Sequence, residues 1–203
     1  MTDFVSILMY LLCFLAVFAL TGSLFFVKKE SITPKILSQT ALVIAMTIIL
    51  TQIHLFAMPQ GGEIQLGSMI PLILLAACYG SRICLMAGLV CGTVAFIMNP
   101  YFFHPVQVLL DYPFPYMAMA AVALFNNRII LGTMVAYSLK FLFHFTSGVV
   151  FFASYAPEGT SPIIYSLLYN ASVVIPDLII CCIIIHLLPV DRIMVAMNNE
   201  QHA

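Results

Sequence analysis

The run "IIYSLLYNASVVIPDLIICCIIIHLL", residues 163–188, extends for 26 residues with one acid, Asp177, and one histidine near its end. A helix rises roughly 1.5 Å per residue, so a run of this length crosses the ~30 Å hydrocarbon core of a bilayer. Its apolar residues do not alternate with polar ones as barrel strands require. Of the two structures that satisfy every backbone polar group in lipid, it therefore selects the helix. The rest of the chain repeats the pattern, with apolar segments at about 5–27, 36–57, 67–80, 83–98, 105–126 and 129–152. The third and fourth are short; they tilt little, enter the bilayer partway or meet as a tight pair around "YGSR". At 63% hydrophobic and 7% charged residues and a mean hydropathy of +1.11, the chain cannot coat a water-soluble globule. The expected fold class is an all-α integral membrane protein.

The segment at 5–27 has Asp3 where a signal peptide carries basic residues, and Lys28-Lys29 follows it. It is expected to be a membrane span. Basic residues collect on the cytoplasmic side, and six of the seven, Lys28, Lys29, Lys35, Arg82, Arg128 and Arg192, fall in alternate connections. The other connections hold Glu63 and Glu158. This alternation places the N-terminus outside and the C-terminus in the cytoplasm. Residues 1–34 are expected to form this span and its linker, 35–190 a single membrane core, and 191–203 a short cytoplasmic tail.

Several chemistries are disfavoured by what the sequence lacks. The six cysteines form no C-x-x-C pair and lie in apolar segments, where thiols act as small hydrophobes. The histidines lack metal-ligand spacing, so no metal site is expected. No G-x-x-x-x-G-K-[ST] loop occurs, and any energised transport needs a partner that hydrolyses ATP. No G-x-S-x-G or H-E-x-x-H supports catalysis, and no cofactor is expected.

Ionisable residues inside spans are costly and mark functional candidates. In "HPVQVLLDYPFPY", residues 104–116, Asp111 lies about six residues into its span. His144 lies about eight residues from the end of the next span, and Asn170 about seven into the last, so all three reach the outer third of the membrane. Tyr112, Tyr165 and Tyr169 lie at the same level. Pro113 and Pro115 cannot continue the helix ladder and leave carbonyls unpaired beside Asp111, as tolerated where backbone lines a cavity. Asp111 thus faces an externally open pocket that wants a cation or a donor, or else pairs within the bundle. Lys140, at mid-span, is level with Asp177 if the last two spans are antiparallel, and the two are expected to form a buried structural ion pair, with a proton relay as the rival. The Gly- and Pro-rich "MPQGGEIQLGSMIP" suits a flap over the pocket mouth or a plain turn. Ala41 and Ala45, spaced i to i+4, allow a second helix to approach closely.

The stretches "MPQGGEIQLGSMIPL", "HPVQVLLDYP" and "KFLFHFTSGVVFFASYAPEGTSPIIYSLLYNAS" resemble the thiamine-specific substrate-binding, or S, component of bacterial energy-coupling factor (ECF) vitamin transporters. The resemblance covers about residues 36–190. It implies a six-helix core, here with one extra N-terminal helix, and a thiamine pocket on its outer side. It also implies partnership with a membrane coupling subunit and two ATPases. By resemblance, Asp111, Tyr112, His144, Tyr165 and Asn170 contact the vitamin, Tyr101, Gly148 and Phe152 match further pocket positions, and Ala41 and Ala45 match the surface that meets the coupling subunit. The chain has no tryptophan; Phe152 and Cys91 stand where family pockets commonly stack the ligand on Trp. The expectation is therefore an importer subunit of the bacterial cell membrane that binds thiamine and no nucleic acid. The alternatives are a carrier of a related cationic heterocycle or thiamine precursor and, more remotely, an intramembrane enzyme using Asp111 and His144 as acid and base.

Overall fold

The computed structural model describes residues 32–125 and 128–199. The span expected at 5–27 lies outside the described residues. Helix α1, Pro34–Thr51, starts where Pro34 presets the first turn and Thr33 Oγ1 accepts the Ile36 N–H at 3.3 Å. Strands β1, His54–Ala57, and β2, Glu63–Gln65, then form an antiparallel hairpin, with Phe56 opposite Ile64 and Ala57 opposite Glu63. The apolar segment expected to reach residue 57 thus ends as helix at Thr51. Beyond it, "HLFA" pairs with "EIQ" across a turn containing Gln60 (φ 67°) and Gly61 (φ 86°). An apolar run alone does not distinguish a last helical turn from a short strand.

Helix α2, Ile70–Met98, contains one non-helical residue, Gly80, at φ 81° and ψ 174°. A side chain is rarely tolerated at that φ, and glycine has none. The chain turns back sharply there. Cys84 Sγ donates to the Leu72 carbonyl at 3.4 Å, although twelve residues of straight helix would hold them about 18 Å apart. The two short apolar segments thus meet as a tight pair, one of the three arrangements expected from the sequence. Helix α3, Pro105–Asp111, breaks at Tyr112, and α4, Pro113–Met117, continues as a 3-10 helix, Ala118–Phe125. Helices α5, Ile129–Phe151, and α6, Pro162–Leu187, complete the bundle; α7, Val190–Asn199, follows where a short tail was expected. Counting both halves of α2 and joining α3 to its continuation, the described residues form six apolar rods.

The core is centred on α2, where Leu72, Ile73, Leu75, Cys84 and Cys91 are inaccessible. A Cβ on Gly88 would lie 2.8 Å from the Met117 nitrogen, and one on Gly92 2.5 Å from Pro113 Cα. These two glycines, spaced i to i+4, let α2 pack backbone against backbone on α4 and fix the chain just after Asp111. At the opposite end, Tyr79 donates to Gln39 Oε1 of α1 and to the Met197 carbonyl of α7 at 3.1 Å. The outer faces are apolar: α1 exposes Leu37, Leu42 and Ile49, and α6 exposes Ile164, Leu168, Ile175 and Ile183. Five helical segments of the described chain are long and apolar enough to cross a membrane, α2 counted as one. Exposed apolar faces of this extent belong against lipid.

Candidate binding cavity

A cavity of about 550 Å³ opens at the end of the bundle that carries the β1–β2 hairpin and the connections 99–104 and 152–161. Its volume suits a small organic molecule. All eight residues expected at a pocket, Tyr101, Asp111, Tyr112, His144, Gly148, Phe152, Tyr165 and Asn170, line it. Ala41 and Ala45 do not; both are exposed on α1.

Asp111 has three partners in the wall. Its Oδ2 accepts from Gln107 Nε2 at 2.7 Å and from Ser147 Oγ at 2.8 Å, while its Oδ1 lies 3.4 Å from His144 Nδ1. It therefore joins α3 to α5 across the α3–α4 break. Pro113 and Pro115 make that break, since neither has an N–H to give the carbonyls of Leu109 and Asp111. On the facing helix, Asn170 Nδ2 donates to the Ser166 carbonyl at 2.9 Å, to Ser166 Oγ at 3.1 Å and to the His144 carbonyl at 3.4 Å. This leaves the Asn170 side-chain oxygen without a hydrogen bond among the described residues, as is the Tyr165 hydroxyl. Gly148 makes room for the crossing: a Cβ there would lie 2.2 Å from Ser166 Oγ.

Aromatic rings build the mouth. Tyr101 stacks on Phe152 with centroids 5.7 Å apart, and its hydroxyl meets that of Tyr155 at 2.9 Å. The bond to Tyr155, more than its slight burial, pushes the Tyr101 phenol up to about 12, so this part of the mouth is a neutral hydroxyl at physiological pH. The Tyr112 hydroxyl is engaged, donating to the Asn99 carbonyl at 2.7 Å and accepting the Tyr101 N–H at 3.0 Å. The hairpin covers the other side. Gly62 N–H donates to Tyr169 Oη at 2.9 Å, and that hydroxyl donates to the Pro59 carbonyl. The "MPQGG" turn is thus pinned over the cavity by a tyrosine of α6. It brings Glu63, which pairs with His54 Nε2 at 2.9 Å, into the lining.

Below the cavity, Lys140 Nζ donates to Asp177 Oδ2 at 3.0 Å, with side chains 11% and 2% exposed. Tyr137 donates to the same oxygen at 3.1 Å. The expected pair is formed, and Lys140 also borders the cavity floor. Among the described residues no cluster of His, Cys, Asp or Glu could hold a metal ion.

Sequence reasoning singled out the acid, the imidazole and the amide but passed over Gln107, Ser147 and Tyr155. Gln107 stands four residues before Asp111 and Ser147 three after His144, spacings that put each on the same helix face as a chosen residue. Gly88 and Gly92 were legible as a small-residue pair of the same kind as Ala41 and Ala45.

Residues 37–196 match the family model described as thiamine transporter protein. The chain belongs to this family. Within it, the thiamine transporter ThiT of Bacillus subtilis (strain 168) is 38% identical over 149 residues, covering 65% of this chain and 77% of that protein. A thiamine transporter ThiT of Lacticaseibacillus paracasei is 27% identical over 155 residues, 66% of this chain and 77% of that protein. The solved structure of ThiT from Listeria monocytogenes superposes with a TM-score of 0.65 at 21% identity, over 74% of this chain and 90% of that one, which shows the shared fold. The chain is thus a multi-pass membrane protein of a thiamine transporter family whose relatives are named as transporters and not as enzymes.

Proposed function

We propose that this protein is the thiamine-binding S component of an ECF-type importer, capturing the vitamin in the cavity beside Asp111. The observation that carries the reading is the charge of the lining. Asp111 is a carboxylate in the wall and Glu63 one at the flap, shared with His54, while the one ammonium of the lining, Lys140, is matched by Asp177. Such a lining complements a ligand with a fixed positive charge. Thiamine carries a thiazolium, which Asp111 neutralises and the rings of Tyr101, Phe152 and Tyr165 attract by cation–π contact. Its aminopyrimidine finds the open Asn170 oxygen, the Tyr165 hydroxyl and His144. Tyr112, its hydroxyl already engaged, contributes ring surface. Thiamine titration of the Asp111→Asn variant tests the reading, and undiminished affinity would refute it.

The alternation of basic connections supports an outward-open cavity in the bacterial cell membrane. Lys35, Arg82, Arg128 and Arg192 all belong to the end opposite the cavity. An impermeant thiol reagent applied to intact cells should modify Glu158→Cys and spare Arg128→Cys. Equal labelling of both would overturn this assignment.

Import requires energy that this chain has no P-loop to supply, which supports partnership with a membrane coupling subunit and two ATPases. Helix α1 suits the coupling subunit, since only Ile36, Thr47 and Thr51 of it are buried and Ala41 and Ala45 face outward together. Ala41→Trp with Ala45→Trp should abolish transport and coupling-subunit pull-down while thiamine binding persists, because bulk there blocks helix approach far from the cavity. Intact assembly with lost binding would contradict the assignment.

A further inference from the structure

Gln107 is 1% exposed, on α3 one turn before Asp111. A buried primary amide is costly unless its donors and acceptor are satisfied. Here they are, on two separate parts of the cavity. Nε2 donates to Asp111 Oδ2 at 2.7 Å and to the Tyr101 carbonyl at 3.2 Å, and Oε1 accepts the Phe103 N–H at 3.0 Å. With Ser147 Oγ also on Oδ2, one carboxylate oxygen is held by two donors and the other is left to His144 and the ligand. The same amide anchors the 99–104 connection, whose Tyr101 stacks on Phe152.

We infer that Gln107 is a positioning residue for binding: it fixes the rotamer of Asp111 and ties the acid to the Tyr101 wall, so that charge and aromatic face meet the ligand in one geometry. No other common side chain of this length offers two donors and an acceptor without charge. Glutamate would repel Asp111, and leucine or methionine would leave Oδ2, the Tyr101 carbonyl and the Phe103 N–H without this partner.

The inference rests on the reading of Asp111 as the cation's contact, and a double-mutant cycle separates the two. Isothermal titration with thiamine is performed on the intact protein, Gln107→Leu, Asp111→Ala and the double variant, with Gln107→Met replacing Gln107→Leu if the latter fails to fold. Gln107→Leu should weaken thiamine by about tenfold or more with Asp111 present and by several-fold less with Asp111→Ala, where only the anchoring of the Tyr101 wall is lost. It should also weaken a neutral deaza analogue, in which carbon replaces the thiazolium nitrogen, much less than thiamine. Equal losses in both backgrounds, or for both ligands, would make Gln107 a scaffold residue and overturn the inference while leaving Asp111 in its role. An Asp111→Ala variant that binds thiamine as well as the intact protein would overturn both.

Discussion

Lys140→Met alone, or Asp177→Leu alone, is expected to destabilise the folded bundle by about 3–5 kcal/mol, whereas the double change should recover much of the loss. Each single variant strands a poorly hydrated charge, since the Asp177 side chain is 2% exposed and that of Lys140, at the cavity floor, 11%. The double variant removes both desolvation penalties along with the attraction. Tyr137 limits the recovery: its hydroxyl donates to Asp177 Oδ2 at 3.1 Å and meets Cys181 Sγ at 2.9 Å, and it keeps only the thiol once the carboxylate is gone. Asp177 Oδ1 is buried without a hydrogen bond among the described residues, so the pair sits in imperfect surroundings, which favours apolar replacement further. Equilibrium unfolding of the four proteins in mixed micelles measures the cycle. Strictly additive losses would show that the two residues do not stabilise each other.

For Asp111→Asn, thiamine affinity should fall by roughly 10- to 150-fold, about 1.4–3 kcal/mol for one charge-assisted contact. The amide oxygen can take the place of Oδ2 and keep the bonds from Gln107 and Ser147, so the fold and the α3–α4 break should survive. What changes is the other position: a carboxylate oxygen becomes an NH2 group, and the attraction for a cation is lost in a partly water-excluded cavity. The neutral deaza analogue has no cation to lose and should weaken much less. Titration of both ligands into both proteins decides the matter. Equal losses would place Asp111 in the scaffold, and no loss for either would remove it from the binding contacts.

The apolar helices of the described residues, the pairing of Lys140 with Asp177 and the convergence of Asp111, His144 and Asn170 were legible in the sequence, and for one reason. In lipid every backbone polar group must be satisfied within its own segment, so length and hydropathy dictate helices, and helices of known rise set the depth of each polar residue. Depth says which residues share a level, and in a bundle this small those on one level meet. The family motifs added which of them line the cavity.

The ends and breaks of the rods were decided by tertiary structure. That "HLFA" leaves α1 to pair with "EIQ" depends on a partner strand and on Tyr169, 107 residues beyond Gly62, pinning the turn between them. The sharp reversal at Gly80 is permitted by the residue but required by α2 folding back on itself. The carboxylate orientation at Asp111 depends on Gln107 and Ser147, whose role no depth count reveals, because a hydrogen bond is decided by rotamer and distance at the scale of tenths of an ångström. Sequence alone thus determined that the described chain is a set of apolar helices and which polar groups share a level along them, since solvation acts on each segment separately. Only the tertiary structure decided how those groups are paired and aimed, since hydrogen bonding and packing act between segments.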